Sequence, residues 1–536
     1  MPESQVSNAK AHQIQNELNA EYKKTKVWPS ARLVVFPRTF AVGTDAKSYA
    51  TLSVDRGDYQ DSQEPLDRTL SPWDQARIPA NADWAYVGKK QLEPGPAHVG
   101  VRGKCLVFTA GYHALVCHLG LEGNITPMDI EDFNLIVSEC VPGPNKDPKK
   151  AAQMRSFVLP AKYREAAARS QDETTITVLG ALLTALKAYV ISDFNRITRL
   201  HVVSSARTFT KEDIAPRSPM WIERLWSMFP SGPDWVYELP EALANLDKWR
   251  LNVLKQSTAD CIVDVLVTAH GPGGGIGKHL ACDLLHQIGV LPDTSAFDLC
   301  SIPGMYNRLR AHLPVFMATW VSPKFLKACA GRTNSCNALA FNTTSNRNFL
   351  ESYVDVYRCT KVRVPRDLYN LHLSLGNFDP THIYGVPYLK PFEPLTKEWK
   401  DMPVRCFSAP GSRRYHIILA QVPQGYPIRS EITTFSDVTN AGFSTTLGVA
   451  SFKEPMQNKP DLHVAKALVR RGRPVKIHTG QVGRPRKELT LPKIKIMERE
   501  PRSKSVRKRS NQENEGPFGT GMGDDGLRRS KRLRLN

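Results

Sequence analysis

The feature that most constrains this chain is where its positive charge sits. Residues 463–536 carry 21 basic and 7 acidic residues, a net of +14 within a whole-chain charge of +20. The other 51 basic and 45 acidic residues are spread over residues 1–462. A block so charged repels itself and cannot close a core, so 463–536 reads as a disordered basic interaction tail. Its stretch 511–526, rich in Gly, Asn, Glu and Asp, has too little apolar surface to order itself. The expected partner is a polyanion, DNA or RNA.

Two elements of the tail give that expectation a form. Arg470-Arg471-Gly472-Arg473-Pro474-Val475-Lys476 and Val482-Gly483-Arg484-Pro485-Arg486-Lys487 both set Gly-Arg-Pro among basic residues. They resemble the AT-hook, the minor-groove motif of high-mobility-group A proteins. The second copy departs from the motif, with Val482 at the leading arginine position. The resemblance implies DNA binding through Arg470, Arg471, Gly472, Arg473, Pro474 and Lys476, and through Gly483, Arg484, Pro485, Arg486 and Lys487. Glycine lets the backbone enter a narrow groove and proline keeps it extended. Arginines then lie where A·T-rich DNA concentrates negative potential. A generic basic tail that neutralises phosphates without base preference is the competing reading.

Further on, Lys504, Arg507, Lys508 and Arg509, and then Arg528, Arg529, Lys531, Arg532 and Arg534, form clusters that look like nuclear import signals. They imply import machinery as a second partner and a nuclear location, with a virion or the cytoplasm of an infected cell as the alternative. Phosphorylation of Ser503, Ser505 or Ser530 would subtract charge from the tail.

Residues 1–462 read as a mixed α/β or α+β body. A polar arm (1–30) precedes a β-rich region (31–145), where Leu33 to Phe36, Tyr49 to Val54 and Cys105 to Phe108 alternate with Gly, Pro and Asp turns. After the loop 142–150, residues 151–258 read as helical, because Ile176, Leu179, Leu183, Leu186 and Val190 recur at helical steps. An α/β region with a glycine loop follows (259–453). The ten cysteines contain no Cys-x-x-Cys pair and lie in apolar surroundings, which suits reduced, buried thiols. The N-terminus lacks the apolar core of a secretion signal. The uncharged run after Glu173, ending at Leu186, is too short to span a bilayer. No membrane partner is expected, and the oligomeric state stays open.

The sharpest internal motif is the apolar run Ile262 to Thr268, then Gly271-Pro272-Gly273-Gly274-Gly275-Ile276-Gly277, then a helix marked by Leu280, Leu284 and Ile288 and closed by Gly289. Strand, glycine turn and helix can cradle a nucleotide. Gly271, Gly273 and Gly275 look like motif I of S-adenosylmethionine-dependent methyltransferases. That resemblance implies S-adenosylmethionine as cofactor, Asp298 on its ribose, and an RNA or DNA methyltransferase as the alternative function. Ala269 stands where that family has an acidic residue. The short-chain dehydrogenase, Walker and lipase oxyanion patterns match less fully, with His270, Pro272 and His279 out of place. A plain tight turn between strand and helix is the structural alternative. His113, Cys117 and His118 lie close in sequence, but they read as core packing rather than zinc ligands, and no metal is expected. No catalytic residue can be picked. The leading function is a nucleic-acid-binding architectural or packaging protein, chromatin-associated or viral nucleocapsid-like.

Overall fold

A computed structural model describes residues 3–36, 51–60, 86–87, 92–120, 123–138, 140–142, 155–158, 175–193, 197–229, 232–268, 272–330, 345, 348–349, 352–357, 361–377, 401–409, 413–418 and 431–434. A long helix, α1 (Ser4–Thr25), leads into β1 (Ser30–Val35) and β2 (Thr51–Asp55). Then come β3 (Gly95–Pro96), β4 (His98–Arg102), β5 (Cys105–Ala110), β6 (His113–His118), β7 (Asn124–Asp129), α2 (Ile130–Ser138), β8 (Cys140–Pro142), β9 (Arg155–Val158), β10 (Thr175–Ile176), β11 (Val178–Leu183), β12 (Lys187–Ser192) and β13 (Arg199–Ser204). Helices follow: α3 (Leu239–Gln256), α4 (Ile262–Leu266), α5 (Lys278–Gln287), α6 (Ala296–Ser301), α7 (Pro303–Ala318) and α8 (Pro323–Cys329). Last are β14 (Lys361–Arg363), α9 (Arg366–Ser374), β15 (Asp401–Ala409), β16 (Arg413–Ile418) and β17 (Glu431–Thr434). The body is thus mixed in class, a β part followed by a helical part.

Two five-stranded sheets carry the β part, in the orders β3-β1-β11-β12-β7 and β2-β13-β6-β5-β4. The pairings are antiparallel except β13 with β2. The side-chain period of two explains how the central strands are used. On β5, Leu106 and Phe108 join the core shared with β1, β11, β12 and α1, while Cys105 and Val107 face a second core built on Phe209, Trp221, Trp226 and Phe229. On β12, Tyr189 and Ile191 turn to the shared core, and Ala188 and Val190 to a third around Phe133 and Phe157.

That double coverage corrects the helical reading of 151–258. Strands buried on both faces show continuous apolar runs rather than alternation. Val178 to Leu183 and Ala188 to Ile191 form a hairpin, and the helical spacing is a coincidence of residues from β10 (Ile176), β11 (Leu179, Leu183), the turn (Leu186) and β12 (Val190). Helix does return at α3, within the same span. The predicted strand over Ile262 to Thr268 is likewise overturned. It is the short helix α4, whose Ile262, Val263 and Leu266 sit in the helical core. A brief apolar run cannot tell the two structures apart. The helix expected at Leu280 is α5, buried from His279 to His286, with Gly289 at φ +65° beyond its end.

Among the described residues no helix is long and apolar enough to cross a membrane. Helix α1 couples the two parts: Ala9 belongs to the helical core and Ile14 and Leu18 to the sandwich core. Phe108→Ala, at a fully buried site, should cost about 3–5 kcal/mol in urea unfolding. Ile222→Ala, 67 % exposed, should stay within about 0.5 kcal/mol.

Candidate functional site at the start of α1

The glycine loop meets the beginning of the chain. Glu3 is 3 % exposed, and its backbone carbonyl accepts from Ser7 at 3.1 Å, starting α1. Its carboxylate accepts from the N–H groups of His279 (3.1 Å) and Leu280 (3.0 Å) in the first turn of α5. Helix N-termini leave such donors unpaired. The N-cap residue of α5 is Gly277, which has no side chain to offer, so Glu3 supplies the capping oxygen from 274 positions away. Beside it, the Ser4 N–H and hydroxyl both donate to Gly275 O, at 3.0 and 2.9 Å.

This docking explains Gly275 and Gly277, while Gly273 is required by its own loop. A Cβ on Gly277 would run into the Glu3 carboxylate, one on Gly275 into Ser4 Oγ, and one on Gly273 into Leu266 O. Gly275 also holds φ +86°, a conformation that favours glycine. The loop is shaped around the chain's own first residues. The methyltransferase-type cradle lacks its strand here, since 262–266 is helical, and the α5 N–H groups it would turn toward a ligand already serve Glu3. Asp298 lies within the first turn of α6, where Ser295 Oγ donates to its carboxylate at 2.6 Å and accepts from its N–H at 2.9 Å, a capping arrangement.

A third element reaches the same place. Gly103, in the turn between β4 and β5, has its Cα 3.1 Å from where a Gly275 Cβ would stand. The turn is fixed by Arg102 on Glu238 (2.7 Å) and by the Gly103 N–H on Asp234 (3.0 Å), while the Trp235 indole N–H donates to Pro272 O at 3.2 Å. Lys104, half-buried in that turn, is pushed below the usual lysine range by burial, with Glu3 pulling the other way. Lys10, on the buried side of α1, is pushed down to about 8 by burial. The neighbouring Cys105 thiol is pushed up to about 12 by burial and is not a nucleophile at neutral pH.

Behind Glu3 lies a buried charge cluster. His279 Nε2 is 2.9 Å from Asp283, and Gln5 Nε2 is 3.5 Å from His279 Nδ1. Asp283 also accepts from the N–H groups of Asp355, Val356 and Tyr357, at 3.1, 2.9 and 3.1 Å. Tyr357 stacks on the His279 ring at 5.2 Å. Burial opposes charge on both partners, yet Asp283, Glu3 and Asp355 outweigh it and hold His279 above its ordinary value. Burial likewise works against Asp283, but His279 and the amides hold it below the usual carboxylate range. Asp355 is pushed up to about 7, first by burial and then by Asp283.

Sequence reasoning picked out the loop but missed Glu3, Lys104 and Lys10, and gave His279 no role. Glu3 belonged to a polar arm, and its partner lies hundreds of residues away, so local pattern gave no warning. Of the cofactor candidates, Gly275 faces the start of α1 and Gly273 packs against Leu266 O, whereas Gly271 lies outside the described residues. So do Arg470 to Lys487 and both import clusters. His113 points to Ser204 (2.8 Å), Cys117 is in the sandwich core and His118 stacks on Phe229. Among the described residues no group of three or more His, Cys, Asp or Glu could hold a metal ion.

No family model matches the sequence, and no curated protein does. Solved structures give loose likenesses. The Lactococcus lactis formamidopyrimidine-DNA glycosylase bound to abasic-site DNA aligns at 12 % identity and TM-score 0.33, over 62 % of this chain and 82 % of that one. The same enzyme with a FAPY-dG-containing DNA aligns at 13 % and 0.36, over 77 % and 97 %. MutM with carbocyclic 8-oxo-G DNA aligns at 14 % and 0.33, over 62 % and 83 %. Likeness this loose assigns neither fold nor activity to the chain.

The cluster makes stability depend on pH. Folded Asp355 keeps its proton up to about pH 7, whereas the unfolded group loses it near 4, so stability falls as pH rises through that window. His279, raised, contributes fully below about 6.5 and loses its contribution as pH climbs through its folded value. Urea unfolding at pH 4.5 and 7.5 should show Asp355→Asn narrowing the wild-type difference by about 1 kcal/mol or more. Equal pH dependence in the two proteins would remove Asp355 from this role.

Proposed function

We propose that this chain is a DNA-binding protein. The observation that carries the reading is the concentration of +14 in residues 463–536, with two Gly-Arg-Pro elements, on a folded body of nearly balanced charge. Counterion release from phosphates supplies affinity whatever the sequence. The AT-hook-like elements add a preference for narrow A·T-rich grooves. The role is architectural, with the tail as the element that grips the polymer. Full-length protein should bind A·T-rich duplex more tightly than G·C-rich duplex. Arg473→Ala with Arg484→Ala should erase most of that preference and lower the salt slope by about 2. Equal affinity of the wild type for both duplexes would leave only the generic basic tail.

A second reading makes the body an enzyme acting on damaged or abasic DNA, the kind of DNA with which the glycosylases above were solved. The observation that favours it is the burial of Glu3 beside Lys104, with Pro2 preceding Glu3 in sequence. Where Met1 is removed, Pro2 becomes a secondary amine. Such an amine adds to the C1′ aldehyde of a ring-opened abasic sugar, and loss of water leaves an iminium ion. Glu3 and Lys104 are then the groups at hand for proton transfer and phosphate contact. Borohydride reduction of full-length protein on an abasic duplex should trap a covalent adduct that maps to Pro2, and Glu3→Gln should weaken the trapping at least about 10-fold. No adduct, or one on an internal lysine, sinks this reading.

A further inference from the structure

The far end of α1 carries a surface group that the junction does not use. Tyr22 is 44 % and Val27 69 % exposed, and Lys23, Lys24 and Lys26 are exposed with them. The Tyr22 and Trp28 rings lie 5.8 Å apart, and Trp28 stacks on His98 at 5.9 Å. The indole N–H donates to Ala97 O at 2.9 Å, which fixes the ring. The turn between the aromatics is equally fixed. The Lys26 N–H donates to Tyr22 O at 2.7 Å and the Thr25 hydroxyl to Glu21 O at 3.0 Å. Lys26 closes the helix at φ +62°, a left-handed position where glycine or asparagine is usual. Lysines in a last turn offset the helix's own negative end, and Lys23 and Lys24 suffice for that. They do not account for a third lysine in an unfavourable backbone state, nor for a rigid aromatic pair beside it.

We propose that this patch binds single-stranded nucleic acid: Lys23, Lys24 and Lys26 neutralise successive phosphates, and the exposed edge of the Tyr22–Trp28 pair receives an unstacked base. Positive groove and aromatic platform are the two parts such sites combine. The acids nearest His98 are Glu212 and Asp213; Asp213 is committed to Arg207 at 2.6 Å, and Lys211 lies beside them. An anionic membrane suits the patch less well. An interfacial helix needs a broad apolar face, and Ala9, Ile14 and Leu18 of α1 are buried in the protein. The 22 residues of α1 put the patch about 33 Å from the junction, roughly ten nucleotide steps along a strand. The inference rests on the DNA-binding reading and adds a contact on the body to it.

The test uses full-length protein with its tail intact. Labelled oligo(dT) is titrated over a salt series with wild type, with Lys23→Ala/Lys24→Ala/Lys26→Ala, with Tyr22→Ala, and with Lys248→Ala/Lys255→Ala on α3 as control. The triple variant should lower the slope of log affinity against log salt by about 2, at about 0.7 per lost phosphate contact. Tyr22→Ala should weaken binding several-fold at unchanged slope, and the control should match wild type. A 4-thiothymidine oligonucleotide should crosslink to Tyr22 or Trp28. An unchanged slope with crosslinks confined to 463–536 overturns the patch while leaving DNA binding standing. Failure of wild type to bind any nucleic acid instead fells the parent reading. Capture by phosphatidylserine vesicles that is lost in the triple variant, with oligonucleotide binding unaltered, assigns the surface to lipid and overturns the proposal.

Discussion

One residue begins two helices. Glu3 starts α1 with its backbone and caps α5 with its side chain. A buried carboxylate is costly unless hydrogen-bonded, and the first-turn amides of a helix are the partners best placed to satisfy it. Removing Glu3 would leave two buried N–H groups of α5 without partners, at about 1–3 kcal/mol each. It would also loosen α1 from the helical part at the point where Ala9 packs. Because α1 runs on into the sandwich core through Ile14 and Leu18, the same contact sets how sheets and helices meet. The turn at Gly103 and Lys104 closes on the same junction.

How far the sequence foretold this depends on where each element's partner lies. Strands β1 and β5 were legible because proline and glycine turns bound short apolar runs, a local signal. The α5 helix was legible from Leu280, Leu284, Ile288 and Gly289 for the same reason. The β11–β12 hairpin was not. Strands covered on both faces lose their alternation, and chance spacings then imitate a helix. Segment 262–266 failed because four apolar residues around Asp264 are too short a run to show a period. The glycine loop was legible as a place needing glycines, but its occupant was not, since the Glu3–Leu280 contact spans 277 positions. Sequence pattern reports what a segment must bury, and only indirectly what it buries it against.

The distribution of buried ionisable groups points the same way as the geometry. His286 and His372 stack at 4.9 Å, and burial drives them to about 3 and 4. They stay neutral at physiological pH and serve as packing, with His372 Nε2 reaching His286 O at 2.9 Å. His118, at about 4 for the same reason, packs on Phe229. Around Glu3 the outcome differs: Asp283, Glu3 and Asp355 outweigh burial and hold His279 raised, while His279 and the amides of 355 and 356 hold Asp283 lowered. A fold can neutralise buried histidines at little cost, as it does elsewhere in this chain. It holds opposed charges in one dry junction only when each supports another, and such clusters accompany functional sites more often than simple packing does. The start of α1 is where these mutually supporting groups, Glu3, His279 and Asp283, gather. The lysines at its other end meet water and need no such support.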